Sequence, residues 1–358
     1  MNNTVFPFII ALVVLTIAMF RPHILLLIAA ACFSALGLAV HLTPLEKKQL
    51  DDSIAEYLAV PNEVMWAEQP DISATHPLIF FHVRKAGGSS LRLTIADAAK
   101  KANLSIYIAC TNAHGNLPCD TYHFNPRDKP WEKAVFAGHF QYGEQHMLSR
   151  ANGGTRELNF ACLTNLREPV SRVASCLYYR HRIKCINNLS LQELDKYLYK
   201  LDAYGDSCLN EPFFIMSGIE DRTLTDHLDE SNHTIVRKLT HLRGQRNLTH
   251  HRALLERLAP VIFDLSLQHV KKCVPVVLEL PLSFELQKLR FPKLGALGAF
   301  MEKRVNENVL SKSCDFPSGE HLKLIQEHSF LETIFYNVIY KKVSSYIQEV
   351  YGKNSSQI

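Results

Sequence analysis

The stretch His76–Lys101, HPLIFFHVRKAGGSSLRLTIADAAKK, restricts the fold more than any other part of this chain. Pro77–Val83 is a short, nearly continuous apolar run, the mark of a strand buried on both faces. Arg84–Ser90 is a turn of small residues with two cations, Arg84 and Lys85, at its mouth. Leu91–Lys101 has helical periodicity, with Leu91, Ile95 and Ala98 on one stripe. Strand, Gly-rich turn and helix in that order present backbone N–H groups to an anion. Gly87 and Gly88 carry no Cβ and let the backbone approach it closely. Ser89 and Ser90 can cap the helix and donate hydroxyls, and Lys85 adds a point charge. The same residues also fit a plain βα turn whose glycines serve packing. The loop is not the G-x-x-x-x-G-K-[ST] of ATP and GTP hydrolases, because Lys85 precedes both glycines.

Further short apolar runs predict strands at Ser105–Ala109, Lys133–Ala137, Phe160–Leu166 and Val274–Leu280. Helical patterns cover Val170–His181, with Pro169 in its first turn, Ser190–Leu201, Asn210–Gly218 and Glu320–Tyr351, the last a long helix or a pair. Thr111–Lys129, rich in His, Asn, Pro and Asp, reads as a long loop, and Leu224–Leu258 as ambiguous helix. Strands alternating with helices predict an α/β fold with a parallel sheet flanked by helices. An apolar fraction of 47% supports a real core.

Two further segments carry candidate chemistry. The strand Lys133–Ala137 runs into Gly138-His139, and strand ends are where α/β sheets hold their reactive groups. Among 17 histidines, though, His139 alone also reads as a structural or surface residue. Arg167 ends the Phe160–Leu166 strand, and Ser175 lies eight residues on, in the next helix. Arg plus a helix hydroxyl can hold a phosphate monoester. The alternative is Arg167 paired with Glu168 or an Asp, and a surface serine. Tyr179–Lys184 (YRHRIK) is cationic, as suits either a solvated helix end or a landing surface for an acidic acceptor.

Val5–Phe20 and Ile24–Val40 are apolar runs broken by Arg21-Pro22-His23. Each falls short of the ~20 residues of a typical membrane helix, and together they exceed it. A hairpin, a single signal-anchor helix or a cleaved signal peptide all put the rest of the chain on the lumenal side. Sequons at Asn103, Asn188, Asn232, Asn247 and Asn354 agree with that side. Thr43–Thr75 reads as a partly helical stem, and the globule starts near His76, so the expected division is anchor 1–42, stem 43–75, domain 76–351 and tail 352–358. Of nine cysteines, Cys32 lies in the apolar region. Cys110 with Cys119 and Cys176 with Cys185 are the local pairs suggested by spacing, with the true pairing not deducible, and Cys162 in its apolar run reads as a free core thiol. No metal-type C-x-x-C is present, and a net charge of +4 gives no nucleic-acid signature, so any anion site is local.

Taken together, FFHVRKAGGSSLR (Phe80–Arg92), AGHFQYG (Ala137–Gly143) and LTNLREPVSRVASCLYYRHR (Leu163–Arg182) resemble the Golgi membrane-bound carbohydrate sulfotransferases, most of all the heparan and uronyl 2-O-sulfotransferase branch. NEPFFIMSG and Val274–Leu289 are weaker landmarks, and the resemblance spans roughly residues 76–345. It implies a P-loop-like sulfotransferase fold that uses 3′-phosphoadenylyl sulfate (PAPS) as sulfonate donor without a metal. It further implies a lumenal domain anchored in the Golgi bilayer and a glycan or glycoprotein acceptor. By resemblance, Arg84, Lys85, Ala86, Gly87, Gly88, Ser89 and Ser90 cradle the 5′-phosphosulfate, with Lys85 reaching the bridging oxygen. Arg167 and Ser175 match the pair on the 3′-phosphate, and His139 matches the general base. Relatives often have Pro where Arg84 stands and Thr or Ser where Gly87-Gly88 stand. Acceptor-side residues do not map, so a tyrosyl-protein acceptor stays open. The rivals are a nucleotide-dependent kinase, which lacks its loop lysine and acidic metal pair, and a membrane-tethered glycan-binding protein that kept the fold without the chemistry.

Overall fold

The computed structural model describes residues 43–109, 124–151, 158–203, 208–218, 248–291 and 316–352. The two N-terminal apolar runs, Cys110, Cys119, Asn232, Asn247, Asn354 and most of the 352–358 tail lie outside them. Among the described residues no helix is long and apolar enough to cross a membrane.

Five strands form one parallel sheet: β1 Leu78–Phe81, β2 Ile106–Ile108, β3 Val135–Gly138, β4 Ala161–Leu166 and β5 Cys273–Val277, in spatial order β2-β3-β1-β4-β5. Each matches an apolar run of the sequence, and the four residues of β1 are fully buried. Burial on both faces is why these strands read as continuous apolar runs rather than alternating ones. The chain leaves β1 toward β2 on one side and leaves β4 toward β5 on the other. The β1/β4 pair is therefore the topological switch point, and the crevice beyond its carboxyl ends is where open α/β sheets bind ligands.

Around the sheet lie α1 Pro44–Ala59, α2 Asn62–Met65, α3 Gly88–Lys101, α4 Gln145–Ala151, α5 Pro169–His181, α6 Leu191–Ala203, α7 Glu211–Ser217, α8 Leu248–Val270, α9 Ser283–Arg290, α10 Gly319–His328 and α11 Phe330–Tyr351. The last two are the pair foreseen at 320–351. α8 runs well past the expected end of its segment and carries Pro260 inside it.

The segment read as a stem is docked instead. α1 starts at a capping box, in which Thr43 Oγ1 accepts from Glu46 N and Glu46 Oε2 accepts from Thr43 N (2.7 Å), and it packs on α8. Trp66 packs on Tyr346 in a tilted arrangement with centroids 4.6 Å apart, and its Nε1 donates to the Cys273 carbonyl of β5. Arg290 donates to the Met65 carbonyl (2.9 Å), and Lys342 donates to the carbonyls of Leu58 and Val60. The described residues from 43 onward belong to the same compact unit as the sheet, so the globule begins some thirty residues before His76.

The cysteine reading is corrected at two points. Cys162 is at disulfide distance from Cys273, because parallel pairing of β4 with β5 sets these two residues opposite each other. Cys176 is joined to Cys208 rather than to Cys185. It lies on the buried face of α5 with Val173 and Leu177, packed against Leu198 and Leu209, whereas Cys185 lies beyond the helix end and is itself disulfide-bonded.

Candidate functional site

The turn after β1 occupies the switch point. α3 begins at Gly88, three residues earlier than the apolar stripe suggested, so Ser89 and Ser90 lie in its first turn and do not cap it. Its N-cap is Gly87, at φ 78°, a left-handed conformation that glycine adopts without Cβ strain. Leu91 N to Gly87 O is the first bond of the helical ladder, so the amides of Gly88, Ser89 and Ser90 precede it. Gly88 is glycine for a different reason: a Cβ there would overlap the imidazole of His82.

The end of β4 fixes the shape of this turn. Asn165 Oδ1 accepts from Val83 N (2.8 Å), and its Nδ2 donates to the carbonyls of Val83 (3.1 Å) and Ala86 (2.7 Å). Arg167 Nη1 donates to the carbonyl of Lys85 (3.2 Å). These bonds hold Lys85 at φ 61°, a conformation that costs a non-glycine residue about 1 kcal/mol or more.

The two cations at the mouth differ. Arg84 is buried: its N–H donates to Glu211, its guanidinium pairs with Glu211 Oε1 at 3.4 Å, and its carbonyl accepts from Arg172. Arg172 is fully buried and bonds to Glu332, Glu211 and the Cys208 carbonyl. Burial would depress Arg172, but Glu332 and Glu211 outweigh it and hold its pKa above the ordinary value. Burial pushes Glu211 up to about 7, against the pull of Arg84 and Arg172. Lys85 instead is half-buried, with Nζ 4.4 Å above the ring of Tyr179 on α5. Burial, then Arg167 and Arg180, lower its pKa.

Arg167 is half-buried and also lies in the field of Glu279 and Glu168. Glu168 is occupied in capping α5, accepting from Val170 N (2.9 Å) and Ser171 N (2.7 Å). Ser175 is buried in α5, one helical turn before Tyr179, the tyrosine whose ring lies under Lys85.

His139 follows β3 and is buried. Its Nδ1 lies 2.9 Å from the His82 carbonyl, and a carbonyl accepts only, so Nδ1 carries the proton and Nε2 is the basic nitrogen. Its ring stacks on His82 with centroids 4.2 Å apart. Burial, then Arg84 and Arg92, push its pKa down to about 3. His82 falls well below its ordinary value through burial, then His139, Arg92, Arg84 and Lys85. The structure thus sets residues 84–90, 139 and 167 at one end of the sheet, with Ser175 inside α5 four residues before the tyrosine under Lys85. Sequence reasoning missed Asn165, Glu211, Arg172 and His82; the one signal for Asn165 was a polar pair, Thr164-Asn165, inside an apolar strand run.

These features define an α/β protein with a cationic, glycine-bearing turn and a neutral imidazole pair at the switch point of a parallel sheet. No protein-family model, curated protein or solved structure matches the chain.

Proposed function

We propose that this chain is a PAPS-dependent sulfotransferase that moves a sulfonate group to a hydroxyl of a glycan acceptor. The observation that carries the reading is the Arg167–Lys85 hydrogen bond, which joins the Arg-Glu-Pro segment to the paired-glycine turn. A doubly phosphorylated adenosine needs cations at both of its ends, and these segments supply them at one crevice. The parallel α/β sheet is compatible with the P-loop-like fold that such an enzyme requires.

The residues fit the donor. α3's first-turn amides and Lys85 suit the 5′-phosphosulfate, and Arg167 with Ser175 suits the 3′-phosphate. The donor, when bound, supplies a sulfonate on a phosphate leaving group. His139 Nε2 takes the proton of the acceptor hydroxyl as its oxygen attacks sulfur in line. The bond from sulfur to the bridging oxygen breaks, and Lys85 and the turn amides take up the charge growing on the departing phosphate. Burial and two arginines make His139 a weak base in the free protein. Negative charge on the bound donor would offset the field of those arginines and raise its basicity.

A lumenal, Golgi-membrane location accords with the two N-terminal apolar runs, with cysteines at disulfide distance, and with Asn103 and Asn188, both exposed. The test is transfer of labelled sulfonate from PAPS to a panel of glycans and peptides by the full-length chain in detergent. Because α1 packs into the globule, a fragment starting at residue 60 would cut away part of the fold. Transfer to glycans supports the reading, and transfer to tyrosyl peptides redirects it. His139→Ala should keep bisphosphate binding and lose about 10²–10⁴-fold in turnover. Absence of donor binding would overturn the enzymatic reading in favour of a glycan-binding protein.

A further inference from the structure

His82 has no part in the reaction just described, yet its placement ties together three elements of the site. Its backbone N–H donates to the Gly138 carbonyl (2.8 Å), and its own carbonyl accepts from His139 Nδ1 (2.9 Å). Its ring is 3% exposed and lies between the Gly88 backbone at the start of α3 and the ring of His139. Phe80 stacks on it as well, with centroids 5.7 Å apart. The order is therefore turn backbone, His82 imidazole, His139 imidazole.

For packing alone, imidazole is a poor choice at this position. His82 Nδ1 is buried with no hydrogen-bond partner, an arrangement that lowers stability and that a phenylalanine of similar shape would avoid. Sites where a local rule is broken tend to be functional ones.

We propose that His82 is a positioning residue for His139: its carbonyl fixes the tautomer, and its stacked ring fixes the tilt of the His139 imidazole and its distance from the turn. The proposal rests on the sulfotransferase reading of His139. His82 stays neutral because its ring is buried, and because His139, Arg92, Arg84 and Lys85 around it disfavour a further positive charge. A neutral ring under His139 presents a π face to the imidazolium that forms when His139 takes the acceptor proton. Glycine at position 88 is then a requirement of the stack, since any side chain there expels the His82 ring.

The test compares wild type, His82→Phe and His82→Leu as full-length chains in detergent. Adenosine 3′,5′-bisphosphate affinity is measured by calorimetry, kcat and KM for PAPS by sulfonate transfer, and the His139 tautomer by imidazole 15N shifts without donor. Both variants should bind the bisphosphate within about threefold of wild type. His82→Leu should lose about 10²-fold in kcat at unchanged KM while keeping the Nδ1–H tautomer of His139, because the backbone carbonyl that accepts from it is unchanged. His82→Phe, which keeps a ring under His139, should recover most of that loss. Equal kcat in Phe and Leu variants, or a loss of bisphosphate affinity as large as the loss of kcat, overturns the positioning role while leaving the enzyme reading intact. A wild-type chain that neither binds the bisphosphate nor transfers sulfonate overturns that reading and this proposal with it.

Discussion

Arg167 Nη1 lies 3.2 Å from the carbonyl oxygen of Lys85 and donates to it, across a separation of 82 residues. The bond joins the ends of β4 and β1, two strands paired in parallel from Leu78–Ala161 to Phe81–Thr164. That register brings the Arg-Glu-Pro segment level with the glycine turn, and the candidate site depends on it.

Replacing Arg167 by Ala removes both this bond and the charge proposed for the 3′-phosphate. Retention on an immobilised 3′,5′-bisphosphate resin should fall at least tenfold, as loss of a charge-assisted hydrogen bond implies. Arg167→Lys should recover only part of it, since an ammonium lacks the planar fork. Unchanged retention by the Ala variant removes Arg167 from the donor site.

Asn165→Ala would leave the Val83 N–H and the carbonyls of Val83 and Ala86 without their present partner. The expected loss is roughly 2–4 kcal/mol of unfolding free energy, read from the urea midpoint. Asn165→Asp keeps the acceptor for Val83 and loses both donors, so it should not rescue.

Gly88→Ala should destabilise the chain by displacing the His82 ring. Adding His82→Ala removes the obstacle, so the double variant should be more stable than Gly88→Ala alone. A thermal melt of all three variants reads this coupling, and strict additivity would contradict the packing described.

Two groups give stability opposite dependences on pH. His139 titrates at about 3 in the fold against 6.5 in the unfolded chain, so the unfolded state takes up the proton first, and stability falls as pH drops through that interval. His82 acts in the same sense. Glu211 titrates at about 7 in the fold against 4.5 unfolded, so it lowers stability as pH rises between those values. Arg84 faces both His139 and Glu211, with Arg92 and Arg180 also on His139, and Arg172 and Glu332 also on Glu211. His139→Asn should flatten the decline on the acid side, and Glu211→Gln should remove the decline from pH 4.5 to 7, both visible as melting midpoints across pH 4–8.

Peptide mapping without reduction should recover Cys176 linked to Cys208 and Cys162 linked to Cys273. Cys176→Ser should lower stability by about 3–4 kcal/mol, from the 32-residue separation that the bond closes. A Cys176–Cys185 peptide would contradict the helix-face packing.

Much of this was legible along the chain because it is local. The strands declared themselves as apolar runs because they are buried on both faces, and Pro169 marked the start of α5. What escaped was non-local or ambiguous in polarity. Thr43–Thr75 is polar enough to read as a tether, and its docking depends on a few residues such as Tyr57 and Trp66 that periodicity does not single out. Cys162 looked like a core thiol because its partner is 111 residues away on a strand whose neighbour the sequence does not name.

The amino-acid sequence by itself determined the strand–turn–helix unit, the α/β class and the residue types available for holding an anion, since these follow from spacing and side-chain chemistry within a few residues. Only the tertiary structure decided that Asn165 and Arg167 clamp the turn, that Glu211 and Arg172 bury and pair Arg84, and that His82 separates Gly88 from His139. Those relationships are set by strand order and parallel register, and register is a property of paired segments far apart in the chain, which no single segment encodes.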